Sequence, residues 1–286
     1  MRRFLIAGAA LLAACQAEAP RPTHPALWEV TAPSGARGYV FGTIHALPDG
    51  LKWETPALAQ AIAASDRLVL EIADGDAPQA RETFLALATT PGQPPLDTRV
   101  SAPLRDELRK ALAETRLDPV QFADLEDWAA ALTLSLALEA RAGFDPDNGA
   151  DRALQARAGR RPVVGLETLA GQLALFDALP APAQRALLDA VVAESADPDK
   201  GARLVAAWKR GDLGAIDREA HRGMLIDARL REVLLTGRNR AWAKRVAAML
   251  RHGARPFVAV GAAHVAGVDG LPALLGAEGF EVRRVQ

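Results

Sequence analysis

Two histidines in this chain close the same short pattern. His45 ends YVFGTIH and His264 ends PFVAVGAAH; each is an apolar run followed by a glycine, Gly42 or Gly261, two further residues and the imidazole. Two other apolar runs carry a carboxylate at or next to their ends, RLVLEI with Glu71 and RPVVGLE with Glu167. All four have the length and composition of buried strands. In α/β sheets, ligands bind just beyond the carboxyl ends of the strands. If these strands lie together, two imidazoles and two carboxylates converge. Such a set suits Zn, Mn, Co or Fe with a position left open for water. An ion so held polarises a carbonyl and acidifies its water, and a carboxylate not used as ligand serves as general base. The same residues could equally work as acid and base without a metal. Each glycine either lets the chain leave the sheet sharply or admits a close approach at the site.

Other reactive patterns are missing. The sequence has no His-Glu-x-x-His, no Gly-x-Ser-x-Gly, no Walker loop and no Gly-x-Gly-x-x-Gly, which sets aside nucleotide chemistry and serine hydrolysis. His24, His221 and His252 lack the strand context and read as surface residues. In TGRNRAW, Arg238 and Asn239 stand one turn before Trp242 and could set a guanidinium and an amide over an anionic or carbonyl group. Equally, they could form a solvated helix face with Trp242 in the core. Asp151 in DNGADRAL reads first as a helix-capping acid, with a first-turn acid near the site as the other reading. Trp53, Trp128 and Trp208 are assigned to packing.

The elements that must position these groups alternate. ALWEVTAPSGARGYVFGTIH, with its Pro33, Ser34, Gly35 turn, predicts a β-hairpin that delivers His45. Thr55 then caps a helix with Pro56 at its first position, leading into RLVLEI, so a strand-helix-strand crossover is expected. Residues 78–160 predict a helical insertion in which DLEDWAAALTLSLALEARAG is apolar enough to be buried on most faces. RPVVGLE, further helices, RPFVAVGAAH, a helix at Leu271–Ala277 and a closing strand FEVRRV follow. The expected fold is α/β, a mixed sheet core with a strand-end active site and a large helical insertion.

The first residues belong to targeting. Arg2 and Arg3 precede an apolar run from Phe4 to Ala13 that is too short to span a membrane as a mature helix. Leu12, Ala13, Ala14 and Cys15 resemble a bacterial lipobox, with residues 1–14 as the signal peptide and Cys15, the single cysteine of the chain, as the lipidated residue. Gln16 stands where a retention signal would show Asp, which by resemblance to lipoprotein sorting points to the outer membrane. Residues 15–26, with Pro20, Pro22 and Pro25, read as a tether to the domain at 27–286. The 286 residues are 50% hydrophobic and 24% charged with formal net charge -1. That balance excludes a basic nucleic-acid binder and leaves the lipid as the membrane contact.

Taken together, YVFGTIHALP, SDRLVLEI, RPVVGLET with Gln172, GRNRAW and FVAVGAAHVAGVDGLPALLGAEGFEVRRV resemble the TraB/GumN family, to which the animal TIKI proteases are similar. The resemblance runs from about Leu27 to Val285. It implies a metal-dependent hydrolase, peptidase-like in the TIKI branch, with Mn or Co as the favoured metal and Zn as a further candidate. On that reading His45 and His264 bind the metal and Glu71 is ligand or general base. Arg238 or Asn239 stabilises the substrate carbonyl or developing oxyanion, and Glu167 matches a further family position. The substrate is a peptide or small molecule met on the periplasmic face of the envelope. A binding protein that sequesters a signalling peptide or metal-containing ligand without turnover, and a structural envelope lipoprotein, are the alternatives.

Overall fold

The computed structural model describes residues 23–75 and 78–286, so the expected signal peptide, Cys15 and most of the tether lie outside the described residues. One six-stranded sheet is built from β1 (Leu27–Thr31), β2 (Arg37–Thr43), β3 (Arg67–Ile72), β4 (Val163–Glu167), β5 (Pro256–Gly261) and β6 (Glu281–Arg284). Its order is β4-β3-β5-β2-β1-β6. β4, β3, β5 and β2 run parallel, while β1 pairs antiparallel with both β2 and β6. The mixed α/β fold expected from the sequence is the fold found.

β5 holds the centre although it comes late in the chain. Every residue of it is buried, because both of its faces are apolar. Phe257 and Ala259 join the core on one side with Phe41, Leu68 and Leu70. Val258 and Val260 join the other with Val40, Val69 and Trp242. Burial on both faces is the condition under which a parallel strand is stable.

The first hairpin is present, with Gly35 at φ 87 in its turn. Thr55 accepts from the Leu58 N–H at 3.2 Å and caps the helix Pro56–Ala64. That helix carries the chain from β2 to β3, with β5 seated between them.

Helices on both sides of β4 share one further core, in which Leu108, Trp128 and Leu134 meet Leu187, Leu188, Val192 and Leu230. One expectation changes here. The helix Asp127–Arg141 is buried through Trp128 to Ala131 and at Leu134, not on most faces along its length. Leu136 is 62% exposed, and Glu139 lines a cavity beside the strand ends. The second half of the helix keeps Leu134 and Leu138 against the shared core and turns Glu139 to that open space. Among the described residues, no helix is long and apolar enough to cross a membrane.

Candidate active site

The parallel register sets four strand ends side by side. Thr43 pairs with Gly261, Leu70 with Ala259 and Ile72 with Glu167. His45 and His264 leave β2 and β5 at the edge where Glu71 and Glu167 end β3 and β4. Glu71 is buried, and its Oε1 accepts the Gly261 N–H at 2.7 Å. His45 Nε2 stands 3.9 Å from that oxygen and His264 Nε2 3.7 Å. Both imidazoles therefore turn the same nitrogen toward one carboxylate oxygen.

The other ring nitrogens are held from behind. Asp151 Oδ2 lies 2.7 Å from His45 Nδ1, and its Oδ1 accepts from Thr43 Oγ1 at 2.6 Å. Asn239 Oδ1 lies 2.5 Å from His264 Nδ1, while its amide nitrogen donates to the Asp269 carbonyl at 2.8 Å. In the neutral ring, an oxygen acceptor on Nδ1 fixes the tautomer that leaves a lone pair on Nε2. Asp151 thus orients His45 and makes no capping bond to its own helix, whose N-cap is Gly149. A Cβ at Gly149 would overlap the His45 carbonyl oxygen, so this glycine lets the start of the helix carrying Asp151 close on His45.

Arg238 binds the two glutamates together. Its Nη2 donates to Glu71 Oε2 and Glu167 Oε2, each at 2.9 Å, and its Nε reaches both Glu167 oxygens at 3.1 Å. Trp242 donates its indole N–H to Glu167 Oε1 at 2.9 Å and lies under the guanidinium, 4.5 Å from ring centroid to Cζ. A π-helical turn, Glu232–Thr236, immediately precedes this helix, Gly237–Arg251. Gly237 closes the wide turn by donating to the Glu232 carbonyl, and a Cβ on it would stand 2.6 Å from that oxygen. Arg238 Nη1 caps the Leu234 carbonyl at 3.1 Å. Such turns recur at functional sites because they re-aim the residues that follow.

Both motif glycines act through close approach. Gly42 and Gly261 have ordinary strand and turn conformations, Gly261 with φ -49 and ψ 143. A Cβ at Gly261 would stand 3.2 Å from both Glu71 Oε1 and His45 Nε2, and one at Gly42 would stand 2.7 Å from Val265 Cγ2. Gly261 keeps the space between Glu71 and His45 open. Gly42 lets the turn carrying His264 settle on β2. Trp208, assigned to packing, also donates to the Gly42 carbonyl at 2.7 Å.

The charges follow the neighbouring groups more than the burial. The Asp151 carboxylate raises the His45 pKa to about 10, whereas burial pushes His264 down to about 4. Burial works against the Glu71 charge. The charges of His264, His45 and Arg238 and the Gly261 N–H outweigh it and hold the carboxyl at about 2. With His264 neutral above about 4, His45 and Arg238 carry that role at neutral pH.

The donor types fit a divalent ion: two imidazole Nε2 atoms and one ionised carboxylate oxygen, with both imidazoles oriented from behind. The separations of 3.7 and 3.9 Å are a few tenths wider than the roughly 3.4 Å between tetrahedral ligands on a Zn-sized ion. Among the described residues, no group of three or more His, Cys, Asp or Glu side chains forms a ready metal cluster as it stands. Arg238 Nη1 also approaches His264 Nε2 at 3.4 Å.

The sequence-predicted residues His45, Glu71, Glu167, Arg238, Asn239 and His264 are all brought to one edge of the sheet. Asp151's hold on His45 and the acids of the neighbouring cavity were not read from the sequence. Gly149, two residues before Asp151, was the available sign of a close backbone approach.

Fold and site together define an α/β protein with a His/Glu/Arg centre at the ends of four parallel strands. The TraB/PrgY/gumN family model matches residues 26–284, and the chain belongs to that family. No curated protein and no solved structure shows a match to it.

Proposed function

We propose that the chain is a metal-dependent hydrolase acting on amide bonds, anchored by lipid on the extracytoplasmic side of the cell envelope. The observation that carries this reading is the pair of imidazoles, each held at Nδ1 by a side-chain oxygen, whose Nε2 atoms face the ionised Glu71. His45, His264 and Glu71 would hold the ion, with Mn or Co favoured and Zn a further candidate. A bound divalent ion supplies Lewis acidity toward a substrate carbonyl and acidifies water. Asp151 and Asn239 fix the imidazole tautomers, and Arg238 fixes Glu71 and shares its charge with Glu167. Asn239 spends both ends of its amide on His264 and Asp269, so carbonyl stabilisation falls to the second Nη1 N–H of Arg238, the one donor not committed to Glu71, Glu167 or Leu234. Anchoring rests on Leu12, Ala13, Ala14 and Cys15, with Gln16 favouring the outer membrane.

A second reading has one observation in its favour. Arg238 Nη1 already offers an N–H toward His264 Nε2, an arrangement that also serves acid–base chemistry or ligand capture without a metal. Metal content and peptide cleavage, measured on the full chain and on His45→Ala and His264→Ala, separate the two. Metal-restored cleavage lost in both folded variants supports the hydrolase. Equal inertness of all three across Mn, Co and Zn removes it and favours a sequestering protein.

A further inference from the structure

His45 and His264 also line a cavity of about 340 Å³, a size that accepts one side chain and its neighbouring backbone. Its wall is apolar, with Ile44, Phe144 and Leu204 among the lining residues. Gly201 makes part of that wall possible, since a Cβ on it would stand 2.6 Å from the Phe144 ring.

Acids are set into this apolar wall. Glu219 is matched by Arg203 at 3.7 Å and Arg222 at 3.3 Å. Lys200 pairs with Glu194 Oε2, but Oε1 of the same carboxylate is buried with no hydrogen-bond partner among the described residues. A Cβ at Gly223 would overlap that oxygen, so the glycine there makes room for the acid. Glu139 lines the same cavity. It faces the charges of His45, Lys200 and Glu194. A buried carboxylate oxygen without a donor costs free energy until something supplies an N–H. Glu194 is 23% exposed and lines the cavity, so a turn of its carboxylate presents that acceptor to a ligand that is apolar along its length and ends in a donor.

We propose that this cavity is a substrate subsite for an apolar side chain adjoining a protonated amine, with Glu194 and Glu139 as the residues that select the amine. The inference rests on the hydrolase reading only in placing the bond to be cut beside His45 and His264. The amine is either the free amino terminus of a peptide or a lysine side chain; both present the same ammonium donor.

Three probes decide the matter by equilibrium binding to the full chain: Phe-Leu-amide, N-acetyl-Phe-Leu-amide and N-acetyl-Phe-Lys-amide. Binding is read on wild type and on His45→Ala, in which turnover is expected to be absent. At least one amine-bearing probe should bind about tenfold or more tightly than the neutral one, as a charge-assisted hydrogen bond provides. Preference for the first identifies an amino terminus, and preference for the third a lysine. Glu194→Gln should reduce that preference to within about threefold, Glu139→Gln should weaken it in the same sense, and Phe144→Ala should weaken all three probes. Equal binding of all three probes, no binding of any, or a preference unchanged in both folded Gln variants overturns the subsite. Cleavage that survives His45→Ala overturns the hydrolase reading and leaves the subsite standing.

Discussion

Asn239 Oδ1 meets His264 Nδ1 at 2.5 Å inside the protein, where both side chains are buried. Replacing Asn239 with Leu leaves that ring N–H without an acceptor and frees the imidazole to turn. The expected loss is about 1–3 kcal/mol of stability. On the metal reading, a fall of about 10–100-fold in affinity for the ion accompanies it. Chemical denaturation and metal titration of the same variant check both; an unchanged affinity would remove Asn239 from the site's support.

Arg238 neutralises two carboxylates that are 8% and 18% exposed, Glu71 and Glu167. Arg238→Met strands both charges and should cost about 3–5 kcal/mol. Lysine should not restore the site, because a single ammonium cannot reproduce the donors that Nε, Nη1 and Nη2 direct to four acceptors. Denaturation midpoints of the two variants test the ranking.

The pH dependence of the metal-free chain has two limbs. The folded pKa of His45 is raised to about 10, so the native state binds more protons between about 6.5 and 10 and stability falls as pH rises through that window. The folded pKa values of His264 and Glu71 are depressed to about 4 and about 2. Their contributions are present above the unfolded values and are lost as pH falls from about 6.5 toward 4 and from about 4.5 toward 2. The melting temperature should therefore peak near pH 6.5. Asp151→Asn should flatten the alkaline limb and spare the acid one; a limb that persists unaltered would exclude the His45–Asp151 pair as its cause.

Metal uptake should release protons. His45 carries a proton at pH 8 when Asp151 raises its pKa, and an ion can take Nε2 only after that proton leaves. About one proton per ion is expected at pH 8 for wild type, and close to none for Asp151→Asn. Calorimetry in buffers of different ionisation enthalpy counts them.

Gly42→Ala and Gly261→Ala should fail differently. A methyl at Gly42 runs into Val265 at 2.7 Å, which costs about 1–3 kcal/mol of stability through overpacking. One at Gly261 meets Glu71 Oε1 and His45 Nε2 at 3.2 Å, so it should lower metal binding and cleavage more than melting temperature. Parallel measurements on both variants separate packing from chemistry.

The strand-ending pattern was legible in the residues alone. Four apolar runs of strand length ended beside His45, Glu71, Glu167 and His264, because side chains buried on both faces leave a continuous apolar record in sequence. The hairpin, the Thr55 cap and the closing strand were local enough to be read the same way. Which strands would be neighbours was not. β5 slots between β2 and β3 from about two hundred positions further along the chain, a choice made by long-range packing of Phe257, Val258 and Val260 against both layers. The bonds of Asp151 and Asn239 to the imidazoles, and the Glu194 cavity, belong to that second kind of information. These residue types are ordinary in helices and loops, and their roles come from what the folded chain brings within 3 Å of them. The sequence determined which groups stand at the strand ends; the tertiary structure decided which of them share a proton, a charge or a cavity, because such sharing depends on distance in space and leaves no period along the chain.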